Sequence, residues 1–161
     1  MVNLTGHEWY KSFYKGFFDL IEQYKISPVL SGITKIEFLR GAETFEEKLT
    51  LETYMKGYDI LPFTQESLDV ASEFSSFYNA KFKNLKIEFG DCVIAADMKK
   101  YNSSQQQLYL ATMNHSDFPR CFFPRLGYET IEAGENFQNI GFYSFNEVEY
   151  KKSFQEYTSG V

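Results

Sequence analysis

Three acids and one asparagine carry most of the chemistry open to this chain. Asp91 opens the run Asp91-Cys92-Val93-Ile94-Ala95-Ala96, at the start of a helix that the pattern places over 91–100. The stretch Leu110-Ala111-Thr112-Met113-Asn114-His115-Ser116-Asp117-Phe118 passes from an apolar strand into a second polar, acidic cluster. Glu37 falls on the first turn of a helix that follows an apolar run at 28–32. In an open α/β sheet the carboxyl ends of strands and the N-termini of the helices after them border one crevice, so acids at such junctions can converge. Two carboxylates within about 4 Å repel by roughly 4 kcal/mol at an effective dielectric near 20, and a crevice that gathers several needs a cation. All-oxygen ligands favour a hard ion, Mg²⁺ or Mn²⁺, able to activate water and bridge a phosphodiester.

Each acid also has a purely structural reading. Thr34-Lys35-Ile36-Glu37 matches a capping box, in which the Glu side chain accepts from the backbone N–H of the cap residue. Asp91, behind Gly90, suits an N-cap worth about 1 kcal/mol. Asp117, before Phe118-Pro119, suits an Asx-turn. His115 could act as a general base, although a turn histidine is the commoner use of such a position.

Positioning these residues requires a regular alternation of elements. Trp9, Tyr10, Phe13, Tyr14, Phe17, Phe18, Ile21 and Tyr24 recur at helical spacing, which predicts an amphipathic helix over 8–25 whose aromatic face covers a sheet. Short strands are expected at 28–32 and 58–61, with helices at 34–40 and 44–56 around them. A helix capped by Thr64 carries Leu68, Val70, Ala71, Phe74, Phe77, Tyr78 and Phe82. After the helix at 91–100 come a polar loop at 102–107 and a strand at 108–112. Two further strands follow at 128–131 and 140–145, then a helix at 146–157. Strands alternating with helices predict an α/β fold with a central parallel sheet flanked by helices, spanning 1–161 as one domain.

Composition narrows the function classes. A net charge of -6 argues against a scaffold that holds nucleic acid by a basic face, so any nucleic-acid chemistry must lean on metal ions. Lys81, Lys83 and Lys86 form the single basic cluster, a solvated loop by default. Aromatics reach 19%, and their regular spacing assigns them to the core rather than to base stacking. Two cysteines, Cys92 and Cys121, without CxxC spacing signal neither zinc nor a disulfide framework. No secretory leader pattern or membrane span is visible, so a reduced, cytoplasmic setting is expected. No GxGxxG or P-loop points to a nucleotide cofactor.

Several segments together resemble the PIN-domain family, which includes the VapC-type toxins of toxin-antitoxin pairs. Gly32-Ile33-Thr34-Lys35-Ile36-Glu37-Phe38-Leu39-Arg40-Gly41 is similar to the family's S-x-I-T-x-x-E-L-x-x-G segment. Ile60-Leu61-Pro62-Phe63 resembles the strand before its central helices. Asp91-Cys92-Val93-Ile94-Ala95-Ala96 resembles D-x-x-I-A-A, and Leu110 to Phe118 resembles L-x-T-x-N-x-x-D-F. The likeness covers about 28–120 with four motifs in register, and 146–161 lies beyond it as a helix or tail. It implies a PIN-like three-layer fold and a metal-dependent endoribonuclease. Glu37 and Asp91 would be ligands of Mg²⁺ or Mn²⁺, Asn114 would stand at the fourth acidic position, and Asp117 would complete the site. Thr112 would orient ligands or the attacking water. RNA would be the substrate, a cognate antitoxin protein a partner, and a homodimer through N-terminal helices a possible assembly.

One departure bears on activity. PIN domains begin with a strand ending in Asp, whereas this chain reads Met1-Val2-Asn3-Leu4-Thr5-Gly6-His7. Either a segment upstream supplies that acid, or the chain is a PIN-like module of weak or absent activity that binds a protein or RNA.

Overall fold

The computed structural model describes residues 15–17, 19–83, 87–103, 105–133 and 136–160. Its elements run in the order α1 (helical at 15–17 and 19–23), β1 (Val29–Ser31), α2 (Gly32–Arg40), α3 (Phe45–Met55), β2 (Asp59–Leu61) and α4 (Gln65–Lys81). There follow α5 (Phe89–Tyr101), β3 (Leu110–Thr112), β4 (Arg125–Ala133), β5 (Asn136–Tyr143) and α6 (Glu147–Ser159). Met1 to Tyr14, which hold the position compared with a first strand and half of the expected aromatic face, lie outside the described residues, as do Asn84 to Lys86.

The fold mixes helix and strand, and the β1–α2–α3–β2 segment returns its second strand parallel to the first, with Leu30 opposite Ile60. Among the described residues, parallel pairing is confined to these two strands. The strand expected at 108–112 forms as Leu110–Thr112 but joins a second sheet of order β3-β5-β4, antiparallel throughout. A short apolar run reads the same in either kind of sheet. Its partner is decided by what lies alongside, and here that is the return arm of the β4–β5 hairpin. Expected as two edge strands, β4 and β5 are longer than their apolar runs, and β5 is central.

Helix boundaries follow their caps. Thr64 Oγ1 accepts from Ser67 N at 3.2 Å and starts α4, as expected. Asn146 caps α6 by accepting from Glu149 N at 3.1 Å. A capping box does exist, but at Thr44 and Glu47 on α3 rather than at Thr34 and Glu37. Ser31 leaves β1 in extended backbone and turns directly into α2 at Gly32, so Thr34 is already inside the first turn and Glu37 in the second. Asp91 likewise is not a cap: Glu88 holds that position, and Asp91 is the third residue of α5.

Helix α5 is the hub, packed against α4, α2 and β1. Ala95 and Ala96 on α5 and Ala71 on α4 are fully buried, and their small side chains let the helices approach closely. Around them lie Phe74, Phe77 and Tyr78 of α4, Phe118, Phe122 and Phe123 of the following loop, Tyr143 of β5 and Tyr150 of α6. The core is thus built largely of aromatic rings, while other aromatics expected there, among them Phe45, Phe63, Phe89, Tyr109, Tyr128 and Phe137, are exposed. Tyr78 stacks on Phe122 at 5.9 Å, and Tyr150 on Phe154 at 5.8 Å.

Two polar ties cross this core. Ser31 Oγ, at the end of β1, donates to the buried Asp97 of α5 at 2.6 Å. Burial raises the Asp97 pKa, against the lowering effect of Ser31, Lys100 and Ser67. Lys99 of α5 bonds Glu73 of α4 at 2.6 Å while its ammonium sits 4.9 Å from the Tyr150 ring, and Tyr150 donates to the same Glu73 oxygen at 2.6 Å. That arrangement binds three helices through one carboxylate. Helix α1 covers the second sheet, where Phe17 packs against Ile131 and Ile140.

Candidate active site

The start of α5, the exit of β3 and the middle of α2 meet at one end of the molecule and bring the candidate acids together. Asn114 is the joint. Its amide Nδ2 donates to Asp117 Oδ2 at 2.7 Å and to Asp91 Oδ2 at 3.2 Å. Oxygens that close to one nitrogen are at most about 6 Å apart, where unit charges repel by roughly 3 kcal/mol at an effective dielectric near 20. The amide hydrogens offset part of that.

The turn after β3 is locked by its own side chains. Thr112 Oγ1 accepts from Asn114 N at 3.0 Å, and Ser116 Oγ bonds Asn114 Oδ1 at 3.2 Å and Asp117 Oδ1 at 2.9 Å. Thr112 therefore holds the Asn114 backbone, which is its route to orienting the amide. Asp117 is set by Ser116 and Asn114, and these bonds replace the Asx-turn read for it.

Glu37 reaches the site across Gly90. A Cβ built at position 90 would stand 2.5 Å from Glu37 Oε1, so the absent side chain leaves the carboxylate its place over the first turn of α5. The exposed backbone N–H groups of that turn favour negative charge. Glu88, the cap residue of α5, adds a fourth acid. None of the four forms an ion pair with a described cation.

The electrostatic result is concentrated on Asp91. Its pKa is pushed up to about 7, first by burial, then by a hydrogen bond with Asp117 and that residue's charge, then by Glu88 and Glu37. Near neutrality Asp91 is therefore poised between a proton shared with Asp117 and a charged form that calls for a cation. The group is half-buried, and solvent moderates what this is worth.

All-oxygen donors suit a hard divalent ion. Among the described residues, however, no three His, Cys, Asp or Glu side chains converge at metal-ligand geometry. The Asp91 and Asp117 oxygens stand 3.2 and 2.7 Å from the Asn114 Nδ2, which as a donor cannot itself be a ligand. Seating an ion there would require the amide to turn its Oδ1, in place of the Nδ2 donor, toward the two carboxylates. Exposed Asn114 and half-buried Asp117 have room for that.

His115 is engaged elsewhere. Its Nε2 lies 3.1 Å from the Asn139 carbonyl, which can only accept, so Nε2 donates there, and Nδ1 lies 2.7 Å from Tyr143 Oη. The ring thus pins the turn to β5 through both nitrogens. Gly141 makes the room, since a Cβ there would meet Tyr143 Oη at 2.8 Å and His115 Cε1 at 2.9 Å. Both cysteines are free, Cys92 with its thiol raised to about 11 by burial and Cys121 exposed.

Glu88 and Ser116 escape a reading of the sequence alone, though each has a local signal. Glu88 precedes Asp91 by three residues, which places both at one helix start, and Ser116 adjoins Asp117. Gly90 and Tyr143 carry no such signal, because their roles depend on contacts made across the fold. Among the described residues no helix is long and apolar enough to cross a membrane. No protein-family model, curated protein or solved structure matches the chain.

Proposed function

We propose that this chain is a PIN-like, Mg²⁺- or Mn²⁺-dependent endoribonuclease. One observation carries the reading: Asn114 joins Asp91 and Asp117, with Glu37 drawn over the same helix start through Gly90. The β1–β2 parallel pair and the placement of α5 behind it are consistent with a PIN-like sheet.

In this reading Asp91 and Asp117 hold the ion, Asn114 contributes its Oδ1, and Glu37 supplies charge from the rim. The ion supplies Lewis-acid activation of water and neutralisation of the scissile phosphate. The protein's part is to hold the carboxylates aimed at one place. Thr112 and Ser116 fix the turn that carries Asn114 and Asp117, and His115 fixes that turn to β5. With Asp91 near its midpoint at neutral pH, loading the ion displaces a proton, so activity rises with pH.

The alternative is a PIN-like module without catalysis, which binds a partner protein or RNA. It is favoured by an amide that already satisfies the two carboxylates through hydrogen bonds. The test is cleavage of a structured RNA under Mn²⁺ titration, comparing the wild-type chain with Asp91→Ala. The nuclease reading expects cleavage that Asp91→Ala abolishes. Equal cleavage by both, or none by either, sinks it and leaves the binding module.

A further inference from the structure

A surface depression of about 560 Å³ lies between the last turn of α4 and the 116–121 segment, with Lys81, Lys83 and Arg120 in its lining and no acid. On a chain of net charge -6 such a concentration of cations needs an account. Lys83 and Arg120 are exposed and have no ion-pair partner among the described residues. Lys81 is partly committed: its Nζ donates to Ser153 Oγ at 2.5 Å and lies over the Phe77 and Phe122 rings. Ser153 in turn donates to Glu149. Lys81 still lines the groove, where its charge and that of Glu149 act on the Cys121 thiol in opposite senses.

The groove leads to the acids. Ser116 forms its near rim, and the Ser116 hydroxyl donates to both Asp117 and Asn114. Phe82 lines the wall, held edge-on against Tyr78 and Phe122. Cations beside an aromatic ring suit a single nucleic-acid strand, which offers phosphates and stackable bases together.

We propose that Lys83 and Arg120, with Lys81 behind them, bind the phosphate backbone of single-stranded RNA and guide it past Ser116 to the Asp91–Asp117 pair. The identity of the polyanion rests on the ribonuclease reading, while the groove's preference for a phosphate backbone stands on its own lining. Three cations predict a fall of log K with log salt of slope about -2 for a single strand, and loss of two of them flattens it to about -0.7.

The experiment separates binding from cleavage. Fluorescence anisotropy of an end-labelled single-stranded RNA, in EDTA, is compared for the wild-type chain, Asp91→Asn and the double variant Lys83→Ser/Arg120→Ser, with a polyglutamate peptide as competitor. Lys81 is left intact because it braces Ser153, and near-UV circular dichroism checks that the double variant keeps its aromatic core. The expected result is binding by the wild-type chain and Asp91→Asn alike, weakened at least tenfold and with a flatter salt slope in the folded double variant, and little competition by the peptide. Unchanged affinity or slope in the double variant overturns the groove, as does absence of RNA binding by the wild-type chain. Displacement by the peptide as effective as by unlabelled RNA overturns the nucleic-acid assignment in favour of an acidic protein. Should the groove variant lose binding while Asp91→Asn cleaves normally in Mn²⁺, the groove stands and the nuclease centre falls. Should the groove variant bind normally while Asp91→Asn loses cleavage, the groove falls and the nuclease centre stands.

Discussion

Glu37 Oε1 occupies the space that a side chain at Gly90 would need, 2.5 Å from where its Cβ would be. That one approach brings the acid of α2 to the start of α5, and it separates the energetics of folding from those of the site. Gly90→Ala has opposite expected effects on the two. Alanine is preferred to glycine in a helix by about 1 kcal/mol, and the displaced group is the end of a flexible side chain, so the variant keeps or gains stability. Its response to Mn²⁺ falls to that of Glu37→Ala. A thermal melt with and without Mn²⁺ reads both, and an undiminished Mn²⁺ response in Gly90→Ala refutes a role for Glu37 at the ion.

The raised pKa of Asp91 has a sign that can be checked. Its folded value is about 7, above the ordinary value of 3.8, so the fold holds this proton more tightly than the unfolded chain does. The stabilisation is fully present below the ordinary value and is lost as pH rises towards 7. In EDTA the melting temperature of the wild-type chain should therefore fall from pH 5 to pH 8 more steeply than that of Asp91→Asn. Parallel profiles for the two would place the proton elsewhere.

Asn114→Ala removes the donor between two carboxylates. The variant should melt close to the wild-type chain at pH 5, where Asp91 is protonated, and clearly lower at pH 8, where Asp91 has lost its proton. Asn114→Asp should add a ligand, lowering stability in EDTA yet tightening Mn²⁺ binding by isothermal titration. Equal Mn²⁺ affinity in Asn114→Asp and Asn114→Ala would falsify its place at the ion.

A ligand bound to the folded state alone stabilises it by about 2.7 kcal/mol at a hundred times its Kd. For a chain of this size that is worth roughly 5–10 °C. Saturating Mn²⁺ should thus raise the melting temperature of the wild-type chain at pH 7.5 by that order, and leave the double variant Asp91→Asn/Asp117→Asn unmoved. A comparable rise in that variant would assign the ion to another site.

The polar tie between β1 and α5 carries its own cost. Ser31→Ala leaves the buried Asp97 without its 2.6 Å donor, a loss of about 1–3 kcal/mol. Phe77→Ala, at the centre of the aromatic core, should cost about 3–5 kcal/mol. Urea denaturation should rank them in that order, and a Ser31→Ala midpoint equal to wild type would show that Asp97 is satisfied without Ser31.

Local sequence determined what is settled within a few residues. The cap at Thr64 and the helix it starts, the terminal helix after 145 and the buried run of α5 follow from spacing and side-chain hydrogen bonding, which act locally. The type of each strand was also legible, but not its partner: Leu110 to Thr112 reads the same whether it extends β1 and β2 or pairs with β5. Ladder bonds are made by the backbone, which has no sequence signature. Asp91, Asn114 and Asp117 were recognisable as candidates by residue type. Their roles were not, because a carboxylate's pKa and partners depend on what tertiary packing places beside it. Tertiary structure alone moved Asp91 from the cap into the helix, seated Glu37 over Gly90, and fastened His115 to Tyr143 in a structural role. Only three-dimensional packing set Arg120 beside Lys81 and Lys83, making a groove of cations that are separated in the chain.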